Sequence, residues 1–271
     1  MGYERTAVDR YLHLKHNSIM QRRKFIAAAA ALPFTAVAAT ANNPLAEGDR
    51  QLIELRTYEI KFGGSGKGRL LDYLLEVLAP TLRSMGCPWV KVLKERGDAD
   101  PAKIWCMIAY PDATTYVKAQ DLSGNVDFRT ASADYDALGP EKPIFNRYTS
   151  SLLLAFTGMP QVTDSREAAL YELRTYEGYS EDATRRKIAM FNDEEIPLFH
   201  RTGLHPVFFG DMIAGPYRPS LVYMLHFKDM EERNANWKTF VDSPEWKEMA
   251  AKPKYANSVS NIRKVFLEPI G

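Results

Sequence analysis

Glu54, Arg56 and Tyr58 alternate along the segment Ile53-Glu54-Leu55-Arg56-Thr57-Tyr58-Glu59. Glu172, Arg174 and Tyr176 alternate in the same way along Tyr171-Glu172-Leu173-Arg174-Thr175-Tyr176-Glu177. In an extended strand, alternate side chains share a face. Each segment therefore offers a carboxylate, a guanidinium and a phenol side by side. Aimed into a pocket, these triplets are candidate ligand-binding residues for an acidic or phenolic small molecule. A plainer reading has each Glu neutralising its neighbouring Arg inside the barrel, and a third places an exposed charged strand at a sheet edge. His226 lies in the apolar register of Val222 and Met224. It is the candidate catalytic residue, as a general base titrating near neutrality, or an axial haem ligand. A buried histidine that is simply hydrogen-bonded is the competing reading. His205 sits before Pro206 at a strand entrance, and His200 is expected on a helix surface.

Other chemistries find no support. Gly63-Gly64-Ser65-Gly66-Lys67-Gly68 lacks the spacing of a phosphate loop, and Gly68 stands where a hydroxyl should follow the lysine. No Cys/His set has zinc spacing, and neither a G-x-S-x-G elbow nor an H-E-x-x-H helix occurs. No metal is expected. A net charge of +1 without a basic tract argues against a nucleic-acid partner. With 45% apolar residues among 271, the chain can bury a sizeable core.

The two chemistry-bearing segments are themselves a repeat, with six identities in a row at a shift of 118. The same shift carries Pro88 onto Pro206 and Ile104–Ala109 onto Val222–Phe227, and it pairs Ile108 with His226. Each half then reads alike. After the opening strand, Lys67–Ser84 and Glu181–Arg201 show apolar residues at helical spacing. Pro80 and Pro197 should kink these helices or end them early. Trp89–Leu93 with Ile104–Tyr110, and Val207–Phe209 with Leu221–Phe227, read as strand pairs. Ser180, Asp112, Asp229 and Ser243 are in place to cap helices. Final strands are expected near Arg147–Ala155 and Ile262–Leu267.

The order β-α-β-β-α-β is ferredoxin-like. Ile104–Ala109 and Leu221–Phe227 are apolar at both parities, so both faces of each sheet must be covered. One face meets the unit's own helices and the other meets the second repeat. The expected fold class is α+β, with two ferredoxin-like repeats packed sheet to sheet as an intramolecular barrel. On this view Ile53, Leu55 and Thr57 pack under helices, and the polar triplets face the space between the sheets. The domain boundaries read as 51–155 for the first repeat, 156–168 for a linker and 169–271 for the second repeat.

Two such units, each opening on a (Tyr/Ile)-Glu-Leu-Arg-Thr-Tyr-Glu strand, resemble the NIPSNAP family, a branch of the dimeric α+β barrel superfamily. The resemblance covers roughly residues 51–155 and 169–268 and implies the tandem barrel fold. It implies no defined biochemical role, because related barrels include cofactor-independent monooxygenases and haem proteins. Two functions follow as expectations. One is binding of a small organic ligand between the sheets, with metal-free oxygen chemistry in which His226 or a tyrosine moves protons and Arg56 or Arg174 steadies an anion. The other is a non-catalytic interaction module with a filled barrel. No cofactor is expected, haem stays open, and self-association of the whole chain is not required.

Residues 1–41 read as a signal peptide. Gln21-Arg22-Arg23-Lys24-Phe25-Ile26 is followed by an alanine-rich run with A-x-A exits, which resembles a twin-arginine export signal. Removal after Ala38 or Ala41, and export to the periplasm or beyond, are the expectations, with translation starting at Met1 or Met20. The apolar run is too short and too alanine-rich for a stable membrane span. Without the leader, 29 basic and 32 acidic residues remain, so the mature chain is mildly acidic. Cys87 and Cys106 should be buried free thiols, because a hairpin over residues 88–110 would put Cys106 opposite a residue near 92, out of reach of Cys87.

Overall fold

A computed structural model describes residues 50–60, 66–165 and 167–270. Residues 1–49, which include the expected signal peptide, and residues 63–65 of the glycine-rich loop lie outside the described residues. Eight antiparallel strands form a closed barrel: β1 (Leu52–Glu59), β2 (Trp89–Glu95), β3 (Lys103–Tyr110), β4 (Arg147–Ala155), β5 (Leu170–Glu177), β6 (His205–Ala214), β7 (Ser220–Phe227) and β8 (Asn261–Pro269). Around the ring they run β1-β3-β2-β8-β5-β7-β6-β4. Each repeat supplies four neighbouring strands, and the seams β2–β8 and β4–β6 join the halves. At the β4–β6 seam Gly210 faces Leu153, where a Cβ would lie 2.7 Å from the leucine Cβ. Closure at this point therefore depends on the missing side chain.

The long helix of the first repeat, α1, is continuous through Gly66–Asp72, Tyr73–Leu78 and Ala79–Ser84. Its counterpart, α4, runs through Glu181–Met190, Phe191–Glu195 and Ile196–Arg201. The prolines neither stop nor sharply break them. In both, a π-helical turn precedes the proline, with Ala79 N–H reaching Leu74 O and Ile196 N–H reaching Phe191 O. A widened turn accommodates the carbonyls that a proline ring would crowd. The remaining helices are α2 (Ala113–Lys118), α3 (Val126–Asp136), α5 (Met230–Asp242) and α6 (Pro244–Ala250). Asp112, Ser180, Asp229 and Ser243 each accept a backbone N–H at a helix start, as expected. α3 was not anticipated as a separate helix, and Asn125 caps it.

Three apolar cores result. One lies between the first half-sheet and α1, and includes Leu70, Leu74, Ile104 and Cys106. A second lies between the other half-sheet and its helices, around Phe191, Phe199, Tyr223 and Phe240. The third fills the barrel itself with Ile53, Leu55, Met107, Leu153, Leu173, Val222 and Met224. Both faces of β3 and β7 are thus covered, which is why their sequences are apolar at both parities. Residues 156–165 pass as a strap across the barrel end where β1, β2, β5 and β6 begin. Gln51 N–H bonds Pro160 O, Val162 N–H bonds the Gln51 side chain, and Thr163 N–H bonds Val207 O. Cys87 and Cys106 are free and buried, and Val92 stands opposite Cys106.

The strand pairing corrects the repeat alignment. Cys106 pairs with Arg56 and Tyr223 pairs with Arg174, so β3 and β7 correspond at a shift of 117. The residue equivalent to His226 is Ala109, not Ile108, since Ala109 pairs with Ile53 and His226 with Tyr171. The helix prolines Pro80 and Pro197 also stand 117 apart, so the first repeat carries one residue more between its opening strand and its helix proline, which sequence identity in the opening strand cannot reveal.

Candidate functional site

The polar triplets do not face the space between the half-sheets. Ile53, Leu55 and Leu173 occupy the barrel core, while Tyr58 and Tyr176 pack with the helix-covered cores. The expectation is reversed because a closed barrel also buries its inner face. That face takes the more apolar parity, Ile53, Leu55 and Thr57 in β1, and the polar parity meets helices that carry partners for it.

In the first repeat Arg56 Nε donates to Glu54 Oε1 at 2.8 Å, Tyr110 donates to Glu54 Oε2 at 2.7 Å, and Ser150 donates to Oε1 at 2.7 Å. Burial pushes the Glu54 carboxyl up, but Arg56, Ser150 and Tyr110 together hold it below the ordinary range. Burial likewise opposes the charge on Arg56, and Glu54 more than restores it. Tyr58 and Tyr110 are kept neutral, chiefly by burial.

The second repeat builds a larger cluster from the same start. Glu172 receives Arg233 through two bonds of 2.8 and 2.9 Å and Trp237 Nε1 at 2.9 Å. Arg174 lies 3.3 Å from Glu172, stacks over Trp237 at 4.4 Å, and donates to Tyr223 at 3.1 Å and Tyr176 at 3.3 Å. Its Nε, the atom nearest Glu172, is buried and makes no hydrogen bond among the described residues. Lys187 and Glu195 form a buried pair at 2.7 Å beside it. Arg233 and Trp237 were missed in the sequence, although their spacing of four on a capped helix puts both on one face. The plainer reading of the sequence places each Glu–Arg pair inside the barrel; the structure instead pairs Glu54 with Arg56 beneath the helices of the first repeat, and in the second repeat Glu172 is held by Arg233, with Arg174 at 3.3 Å.

His226 is half-buried at the strap end of the barrel. It stacks on His205 with ring centroids 5.2 Å apart and lies near Tyr171. Burial, then the neighbouring His205, lowers its pKa. The strap fastens here: Asp164 accepts from Trp89 Nε1 at 3.0 Å, Lys91 Nζ at 3.1 Å and Tyr171 OH at 2.8 Å. His200 is exposed, as expected. Among the described residues no group of three or more His, Cys, Asp or Glu is placed to hold a metal ion.

At the opposite end the barrel opens into a cavity of about 410 Å³. Leu55, Leu173, Met212 and Val222 form its floor, and Thr57, Trp105, Thr149, Ser151, Thr175 and Tyr217 form its walls, with Glu59, Lys103 and Arg147 at the rim. Both repeats line it, so it lies between the half-sheets, but at one mouth only. None of the six triplet residues nor His226 borders it. Alternation explains this, since Thr57 and Thr175 take the parity opposite to Arg56 and Arg174.

Residues 171–271 match the NIPSNAP family model. None of the curated proteins matches the sequence. Among solved structures, a protein from Lactobacillus acidophilus NCFM, described as a proposed monooxygenase, is 12% identical with a TM-score of 0.55, over 81% of this chain and 93% of its own. A second protein so described, from Fusobacterium nucleatum, is 11% identical with a TM-score of 0.53, over 82% and 94%. An uncharacterised NIPSNAP-like domain protein from Burkholderia xenovorans is 20% identical with a TM-score of 0.35, over 39% and 88%. The first two share the fold along most of both chains. The second repeat of this protein is a NIPSNAP domain, held within a closed α+β barrel.

Proposed function

We propose that this protein is exported and that it binds a small organic molecule in the open mouth of its barrel. The observation that carries the reading is the cavity of about 410 Å³, walled by both repeats, with an apolar floor and hydroxyl-bearing walls. That size falls within the range of small-molecule sites, roughly 300–1,000 Å³, and the lining has their usual mixture of apolar surface with a few polar groups. Ile53, Met107, Leu153 and Met224 pack the barrel core next to this mouth, and the strap is bonded across the far end. Export rests on the twin arginines and the A-x-A exits of the leader.

Oxygenation is the reaction to test first, because two proteins of the same fold are described as proposed monooxygenases. Fold alone does not carry a reaction from one chain to another. In the mouth the side chains able to move protons are those of Tyr217, Lys103 and Glu59, while Trp105 and the threonines would orient a substrate.

Native mass spectrometry of protein recovered from the exported compartment tests the reading. A bound mass of a few hundred daltons, lost in Val222→Trp while the fold persists, is the expected result. Ligand-free protein, or a ligand retained with the mouth filled by tryptophan, would overturn it.

A further inference from the structure

We infer that the molecule taken up by the barrel mouth is an amphipathic organic anion, its apolar body on the floor and its carboxylate or similar group at the rim. This deepens the small-molecule reading above and rests on it.

The inference starts from the distribution of polarity along the cavity axis. Leu55, Leu173, Met212 and Val222 at the bottom carry no polar side-chain atom able to donate or accept strongly, so a charged group placed there would be stripped of water without compensation. Charge must stay at the rim. The lining contains two cations, Lys103 and Arg147, against one carboxylate, Glu59. Asn146 already donates to that carboxylate at 3.0 Å.

The cations are under-used by the protein itself. Arg147 stands opposite Glu59 across the β1–β4 ladder, yet it has no carboxylate within ion-pair distance among the described residues. Lys103 reaches a carboxylate only loosely, Glu95 at 3.8 Å, and Glu95 is also occupied by Trp105 Nε1 at 3.1 Å. By contrast, Arg263, stacked over Tyr217 beside the mouth, is ion-paired with Glu177. A guanidinium with five donors and no carboxylate partner among the described residues, at the lip of an apolar well, is suited to a planar oxyanion. Thr149 and Ser151, on the Arg147 side of β4, add hydroxyl donors in the same wall.

Calorimetry on the full-length mature protein tests this with two matched pairs of probes, octanoate against 1-octanol and benzoate against benzyl alcohol. The acids are expected to bind more tightly than the alcohols. Arg147→Gln should weaken acid binding roughly tenfold, the order expected for a charge-assisted hydrogen bond, and leave the alcohols unchanged. Raising the salt should weaken the acids alone. Alcohols binding as well as acids, or acid affinity indifferent to Arg147→Gln and Lys103→Gln, would overturn the anion assignment and leave small-molecule binding standing. Failure of all four probes, together with ligand-free protein in native mass spectrometry, would overturn both.

Discussion

Arg56 donates from Nε to Oε1 of Glu54 at 2.8 Å across two positions of one strand, and both side chains are buried beneath the helices of the first repeat rather than inside the barrel. The pair sits where only its own partners can solvate it. Glu54 is 1% exposed and Arg56 8%, so each depends on the other for its charge.

Removal of one partner should therefore be costly. Arg56→Ala leaves Glu54 as an unpaired buried carboxylate, and a loss of about 3–5 kcal/mol in unfolding free energy is expected. Replacing both, as Glu54→Gln with Arg56→Met, should cost less than Arg56→Ala alone. Urea unfolding followed by circular dichroism measures both variants. A double variant weaker than the single would contradict the pairing.

The strap is held by one carboxylate with three donors. Asp164→Ala should remove those bonds and lower stability by about 1–3 kcal/mol, since Tyr171 and Trp89 lose an acceptor. Hydrogen exchange should accelerate within 156–165 while the helices α1 and α4 stay protected. Unchanged exchange there would show that backbone bonds alone hold the strap.

His226 makes stability depend on pH. Its folded pKa lies below the ordinary value of 6.5, first through burial and then through His205. The unfolded chain then takes up the proton more readily than the folded one, so stability is full above the ordinary value and is lost as pH falls through it. Tm should drop between pH 7 and pH 5, and His226→Asn should show a shallower drop over that interval. Differential scanning calorimetry across the interval decides it; an equal slope in both proteins would remove His226 as the cause.

The two thiols should be unreactive in the native state. Burial pushes Cys87 up to about 11 and Cys106 up to about 12, so neither offers appreciable thiolate at neutral pH. Reaction with an aromatic disulfide reagent should proceed only on unfolding. Rapid labelling of folded protein would contradict this.

Much of the architecture was legible locally. Alternation in the opening strands, helical spacing in α1 and α4, and Asp or Ser before α2, α4, α5 and α6 depend on neighbours within a few residues. The duplicated Glu-Leu-Arg-Thr-Tyr-Glu segment announced two copies, and β3 and β7, apolar on both sides, announced sheets covered twice. The candidate site was less legible. Arg147, Trp105 and Tyr217 are scattered over β4, β3 and the β6–β7 turn, and nothing in their spacing says that they meet.

Sequence by itself determined that Glu54, Arg56 and Tyr58 share one side of a strand, because the period of two is a property of the extended backbone. It could not determine which side. Both sides of these strands are buried, so burial pattern breaks no tie between barrel and helices. Only ring closure, with its twist and its two seams, turned the apolar parity inward. The same closure placed Thr57 and Thr175 at an open mouth and put Arg56 and Arg174 out of its reach.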